Sequence, residues 1–536
     1  MIPPLPLKLK ALLFAILGGT LCSVAAPQSP DVTAEVMKVY DQMMRENYKD
    51  YETLFRRANA YYNTGDYLKA LDDLDRAVKY CPSTDTESLF AIHALRGECY
   101  YCLKRYAMAL PELTKALSYE PTSTSLLELR GLTAYELGKY DDAKDDFTKI
   151  QRIQPRSQEA LFGLALVAAK QSNIGLATDY MDQAFAITPN RSGVFVQRAE
   201  VKKLIGDYNG AVDDLLLAMA TDGNDPEALP ALVRLADSNY SAVVAGLTGA
   251  IRRAPRNPLF YYLRASIAAA HFHYQAAIAD FKYIIDNNLY DYSGLFCSLA
   301  ECYYALGQFE KALDNSEQAL ASADMQADDL CHYSTVRALI QRAMGQNDKA
   351  LASIDRALDY NENDIDAQVA RALILIDKKE YDKASAQLGE LTMTNPFEPM
   401  PYLLRAWIAN DFTKQPDAAK GFYQRVIDLE LDHSELVGSY LGFAQLFTGQ
   451  TPKAVSWMDA ILAEPDYDGK NHYFGACFYA WAGRPDKALE CVEAALRAGY
   501  ANLYDWKYRN DARINVAPLR DDARFQALLT QYQSIF

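Results

Sequence analysis

One spacing governs what this chain can fold into. A small residue is followed twelve positions later by alanine, and seven beyond that by alanine or an aliphatic residue. It stands as Ala58/Ala70/Ala77, Gly97/Ala109/Ala116, Gly131/Ala143/Ile150, Ala165/Ala177/Ala184 and Ala199/Ala211/Ala218. It continues as Ala265/Ala277/Ile284, Ala300/Ala312/Ala319, Ala338/Ala350/Ala357, Ala372/Ala384/Leu391 and Ala476/Ala488/Ala495. Weaker copies in the same register are Ala231/Ala250, Ala406/Ala419/Val426 and Gly442/Ala454/Ile461. The last residues of these sets fall 32 to 39 positions apart, most often 34. A period in that range predicts stacked supersecondary units, each contacting its neighbours, and not one central core.

Residues 124–155 show what one unit is. Leu126, Leu127, Leu129, Leu132 and Tyr135 make one apolar stripe, and Ala143, Phe147 and Ile150 make another. Both stripes have the helical period. Gly138 suits the end of the first helix, and Pro155 closes the second. The unit is a helical hairpin that cannot bury either stripe alone. Small residues at fixed positions let its helices, and the next hairpin, approach closely.

On Gly131, Tyr140, Ala143, Phe147 and Pro155, and again on Ala58, Tyr61, Gly65, Tyr67, Ala70, Ala77 and Pro82, the chain resembles the tetratricopeptide repeat (TPR) family. The resemblance covers about thirteen units from Tyr51 to Gly499 and is specific as an array. The family's early tryptophan is absent; Leu54, His93, Leu127, Leu161 and Phe195 are among the residues in its place. The resemblance implies an all-α fold, a right-handed superhelical solenoid with capping helices at its ends. The expected organisation is a signal peptide (1–25), an N-terminal capping helix (26–50), the N-terminal part of the array (51–222), a degenerate repeat (223–257), the C-terminal part (258–499) and a C-terminal cap (500–536). Pro230 falls inside the expected first helix of the degenerate repeat, where a kink would separate two subarrays.

The leader reading rests on Lys8 and Lys10, the apolar run Ala11–Leu17, and Ser23-Val24-Ala25 with small residues at the cleavage positions. It predicts a bacterial exported protein, periplasmic or secreted. Lipid anchoring at Cys22 is disfavoured because Leu21 precedes the cysteine. No other stretch suggests a membrane span. Ser29-Pro30 then opens a helix with Val32, Val36, Val39, Tyr40, Met43 and Met44 on one face, suited to cover the first repeat. The tail after Gly499 is similar to a closing segment that follows TPR arrays in several bacterial proteins; Trp506, Leu519, Phe525, Leu528 and Leu529 would cover the last hairpin. Extra residues at 83–88 and 321–329 read as lengthened turns.

A net charge of −16 and a pI near 5.0 argue against nucleic acid, whose phosphates need a basic surface. Nine cysteines are too sparse for a disulfide scaffold, and Cys99-x-x-Cys102 falls within a predicted helix, so buried thiols are expected. An arginine precedes the small residue at Arg57, Arg96, Arg130, Arg198, Arg264, Arg337, Arg371 and Arg405. In five repeats an acid follows 16 residues later, at Asp73, Glu112, Asp146, Asp214 and Asp280. That offset predicts ion pairs between the two helices of a hairpin. His271-Phe272-His273 lacks companions at ligand spacing and reads as an exposed turn. With no phosphate loop and no nucleophile motif, the expectation is no enzyme, no cofactor and no metal site.

In TPR proteins the first helices line a concave face. Carrying the family's exposed positions onto this chain gives Phe55, Asn59, Tyr62, Tyr101, Glu128, Tyr135, Glu301, Tyr304, Trp407, Phe443, Tyr473 and Trp481 as candidate partner-binding residues. The face reads as aromatic with scattered carboxylates. Large amphipathic rings dominate protein-binding hot spots, although many can equally pack between hairpins. The expected function is a protein- or peptide-binding scaffold, an assembly subunit among the forms it could take. The alternative is a binder of carbohydrate or envelope polymer that uses the same rings.

Overall fold

A computed structural model describes residues 30–222, 225–321, 325–432 and 440–536, with backbone alone at 30–35 and 430–432. The expected signal peptide, with Cys22 and Ser29, lies outside the described residues. All regular elements among the described residues are helical. The chain divides into two compact units, Met1–Gly246 and Leu247–Phe536.

In the first unit a lone helix, Pro30–Glu46, precedes five antiparallel pairs. They are Tyr51–Asn63 with Tyr67–Tyr80, Thr86–Cys102 with Tyr106–Tyr119, Thr124–Glu136 with Tyr140–Ile153, Gln158–Lys170 with Ile174–Ile187, and Ser192–Leu204 with Tyr208–Thr221. The second unit repeats the scheme in seven pairs. Pro258–Ala270 packs with Tyr274–Asp286, Ser293–Ala305 with Phe309–Leu320, Ala327–Ala343 with Asn347–Tyr360, and Ile365–Asp377 with Tyr381–Thr394. Then come Pro399–Trp407 with Pro416–Asp432, Tyr440–Phe447 with Thr451–Leu462, and Lys470–Trp481 with Pro485–Ala498. Each unit is thus a run of consecutive helical hairpins, as the all-α repeat reading expects.

The repeated small residues sit where two helices meet. Ala58, Ala70 and Ala77 are fully buried, and their counterparts along both units are buried except Ala231 and Ile461 of the weaker copies, which are half-buried. Phe147 shows why size matters. A Cβ built on Gly131 would lie 3.1 Å from its ring, and one on Gly163, in the next hairpin, only 2.4 Å away. Phe147 therefore ties two hairpins through two glycines. Gly138 has φ +72°, the left-handed turn that reverses the chain between helices.

All five expected ion pairs form. Arg57, Arg130 and Arg264 each hold their aspartate through two nitrogens, at 2.7–2.8 Å. Arg198 does the same with Asp214, and Arg96 donates to Glu112 at 3.0 Å. Arg57 also reaches back 16 residues to Asp41 on the lone N-terminal helix, at 2.7 Å. Where the acid is missing, Arg337 donates to Ser353 and Arg371 to Gln387 as well as to Asp355, while Arg405, with Gly421 at that offset, donates to Thr392. The arginine ladder is structural.

Several expectations need correction. Pro230 makes no kink, because it is the third residue of the helix Ala228–Arg253, where its missing N–H has no intrahelical partner to lose. The break lies at Asn239, with φ −158° and ψ 76°. The extra residues before Gly97 and Ala338 do not mainly lengthen turns. They extend the first helix to 17 residues, one turn beyond the 13 of Tyr51–Asn63. On the lone N-terminal helix only part of the apolar set is covered: Met44 is buried, whereas Val39 and Met43 are exposed. His271 is not at an exposed turn either; it is buried, with Nδ1 3.6 Å from Asp468.

Candidate functional site

In the first unit, the expected face is built from three consecutive first helices. Tyr51–Asn63 carries Phe55, Asn59 and Tyr62; Thr86–Cys102 carries Glu98 and Tyr101; Thr124–Glu136 carries Glu128 and Tyr135. Asn59 is exposed, Tyr135 is buried, and the other five are half-buried. Each tyrosine meets the tyrosine that opens the second helix of its own hairpin. Ring centroids are 5.6 Å apart for Tyr62–Tyr67, 5.5 Å for Tyr101–Tyr106 and 5.8 Å for Tyr135–Tyr140. The rings are anchored on one edge, so little side-chain freedom is left to lose on binding.

The carboxylates between these rings are partly stripped of water. Burial raises the Glu98 pKa, partly offset by a hydrogen bond from the Tyr62 hydroxyl. Glu128 is pushed up to about 7, by burial first and then by the charge of Glu159. Tyr101 is raised by burial, then by Tyr106 and by the charges of Glu136, Glu128 and Glu227. Burial raises the Glu136 pKa against the opposing pull of Lys170, Lys203 and Lys104, and Lys170 lies over the Tyr135 ring at 5.8 Å. An acidic, half-dehydrated face with fixed rings stabilises an incoming cationic group.

In the second unit the corresponding face is filled by the chain's own C-terminal segment. The Tyr304 ring is 4.4 Å from Tyr504, and Phe309 is 5.1 Å from Tyr508. Tyr473 stacks on Tyr500 at 4.7 Å and meets Trp506 edge-on at 5.0 Å. Trp481 donates from Nε1 to the Asn515 carbonyl at 3.0 Å, and Arg513 clamps Asp411. Trp407 and Phe443 are buried, against Phe412 and Phe478 respectively. Of the residues expected to face a partner, Trp407, Phe443 and Tyr473 are buried in their own unit, and Tyr304 and Trp481 are half-buried against the C-terminal segment. The expected C-terminal cap does bury Trp506, Leu519, Phe525 and Leu529, but it runs along several repeats as well as the last.

Glu301 stands apart from that segment. His332 of the next first helix lies 3.3 Å from it, and Cys297 sits one helical turn away. Sequence spacing gives no sign of this trio, because His332 stands on a different helix from Cys297 and Glu301. Among the other cysteines of the described residues, Cys102 is buried but is not a free thiol, and the rest are the buried thiols expected. Cys81, Cys99, Cys302, Cys331, Cys477 and Cys491 are free and buried, and burial pushes Cys331, Cys477 and Cys491 up to about 12, which keeps them unreactive. No helix among the described residues is long and apolar enough to cross a membrane.

Tetratricopeptide repeat models match residues 51–84, 129–192 and 341–408. Among curated proteins, the chain is similar to the Protein CTR9 homolog of Arabidopsis thaliana, 23% identical over 59% of this chain and 27% of that protein. DnaJ homolog subfamily C member 3 of Gallus gallus is 24% identical over 28% of this chain and 33% of its own length. The matched stretches thus span about a third or less of these relatives. A solved tetratricopeptide repeat protein from Parabacteroides merdae aligns at 16% identity over 61% of this chain and 98% of its own, with TM-score 0.28. Yeast Tom70 aligns at 15% over 78% and 99%, with TM-score 0.36. The three model matches fall on hairpins whose helices pair and recur at the period read from the sequence, and the chain is a tetratricopeptide repeat protein.

Proposed function

We propose that this interaction scaffold holds a lysine- or arginine-bearing segment of a partner protein on the first-helix face of its first unit, and has no chemistry of its own. The observation that carries the reading is the ladder Tyr62, Tyr101 and Tyr135, with Glu98 and Glu128 between the rings and partly dehydrated. Fixed rings supply apolar contact at low entropic cost, and the carboxylates supply the charge that selects a cationic partner. The second unit's face is covered by its own tail, which directs the reading to the first unit.

Fluorescence anisotropy tests it, with labelled peptides alternating lysine or arginine with small residues, beside glutamate versions of the same peptides. Binding of the cationic set alone is expected, weakened about tenfold or more when Tyr62, Tyr101 and Tyr135 are replaced by alanine in a folded chain. Equal binding of both sets, or no effect of the replacements, would overturn it. The same rings support a second reading, a binder of carbohydrate or envelope polymer; retention on polysaccharide without peptide binding would favour that one. We also propose export to the periplasm or beyond, supported by Lys8, Lys10, the apolar run 11–17 and Ser23-Val24-Ala25. A mature N-terminus near Ala26, read by mass spectrometry of the native protein, is the expected result.

A further inference from the structure

Cys297 and Glu301 lie one turn apart on Ser293–Ala305, so their side chains leave the same side of that helix. His332 comes from Ala327–Ala343, the first helix of the next hairpin. The extra N-terminal turn of that helix places His332 in its second turn, where a 13-residue first helix would leave it at the fraying start. The Cys297 sulfur, a Glu301 carboxylate oxygen and a His332 ring nitrogen all lie within 4.8 Å of one another. Glu301 Oε1 is 3.3 Å from His332 Nε2. Cys297 is 3% exposed, whereas the Glu301 and His332 side chains keep 44% and 29% of their surface, so the trio is open on one side.

Sulfur, imidazole nitrogen and carboxylate oxygen together are a zinc donor set; calcium and magnesium prefer oxygen alone. We propose that Cys297, Glu301 and His332 bind a zinc ion, with a fourth position open to water or to a side chain of a partner. Tetrahedral zinc draws its ligand atoms to about 3.5 Å apart, a closure that a rotamer change at the half-exposed Glu301 supplies. The thiol gives up its proton to the buffer on binding, and thiolate and carboxylate offset the ion's two positive charges. The ligands stand on two adjacent first helices, so the ion would also tie neighbouring hairpins together.

Cobalt, which takes the same tetrahedral ligands and is coloured, tests this on the full chain after chelator treatment. Titration should give thiolate-to-cobalt charge transfer in the near ultraviolet and intense visible bands, saturating at about one equivalent and reversed by zinc. Cys297→Ser should abolish the charge transfer, and His332→Ala and Glu301→Gln should each weaken binding by about tenfold or more. Should Cys297→Ser fail to fold, the two partly exposed positions still decide. Absence of charge transfer in the native chain, its persistence in Cys297→Ser, or unchanged affinity in both His332→Ala and Glu301→Gln would overturn the site.

Discussion

The ring of Tyr504 lies 4.4 Å from that of Tyr304, 200 residues earlier in the chain, and so occupies a first-helix face with the protein's own C-terminal segment. Trp506, two residues on, is fully buried against Tyr473 and Tyr500, and its Nε1 donates to the Tyr500 carbonyl at 3.2 Å. Trp506→Ala should cost about 3–5 kcal/mol, the range for deleting a large buried ring. Denaturant unfolding measures the loss, and hydrogen exchange locates it. Protection should fall in the repeats that touch the segment, at 258–305 and 470–498, and hold at 51–153. An unchanged midpoint, or loss of protection in the first unit alone, would contradict a tail that stabilises its own unit.

Gly163 sets two effects against each other. Helix propensity alone makes Gly→Ala favourable by about 1 kcal/mol in a helix interior. Here the added Cβ would meet the Phe147 ring at 2.4 Å, and that ring is held between two hairpins. Overpacking typically costs about 1–3 kcal/mol, so steric cost wins and Gly163→Ala should be destabilising. Gly175, with open space at its Cβ, is the control and should gain stability. The two midpoints moving in the same direction would reject the argument.

The Arg130–Asp146 pair predicts a non-additive result. Its aspartate side chain is 5% exposed, and two hydrogen bonds of 2.8 and 2.7 Å satisfy it. Arg130→Met leaves Lys149 at 3.3 Å as the remaining cation and should cost about 3 kcal/mol, the lower end for breaking a buried pair. Arg130→Met with Asp146→Leu should recover most of that loss, because no charge then stays buried. Additive losses in the double-mutant cycle would show that the pair is not coupled.

The period, the hairpins and these pairs are legible in the sequence because each is local and repeated. An offset of 16 residues carries the same meaning wherever an acid stands there, so Arg57–Asp73 and Arg264–Asp280 follow from spacing alone. The contacts of the tail occur once. Arg513 with Asp411 and Tyr504 with Tyr304 join residues about 100 and 200 apart, with no second copy to mark them. For the same reason the family's exposed positions stay half-buried at Tyr62 and Tyr101 and fall in the core at Tyr473 and Phe443. Helix phase fixes which way a side chain leaves its helix, and cannot say what the rest of the chain lays over it. The Cys297, Glu301 and His332 trio combines both cases: the first two share a helix face by spacing, and the third arrives only through packing.

Glu128 ties the proposed partner face to pH. Its pKa in the folded chain is about 7, against an ordinary value of 4.5, through burial and then Glu159. As pH rises above the ordinary value the unfolded chain ionises while the folded one stays protonated. The stability this group contributes is therefore full below about 4.5 and is lost as pH climbs through about 7. Binding of a cationic peptide should run the other way, because only the ionised carboxylate attracts it. Affinity in the anisotropy assay should rise between about pH 5 and about pH 8, with the steepest change near 7. Glu128→Gln should flatten both profiles, stabilising the free chain at neutral pH while weakening the peptide there. A pH profile of binding that survives Glu128→Gln unchanged would place the titrating group elsewhere and remove Glu128 from the partner face.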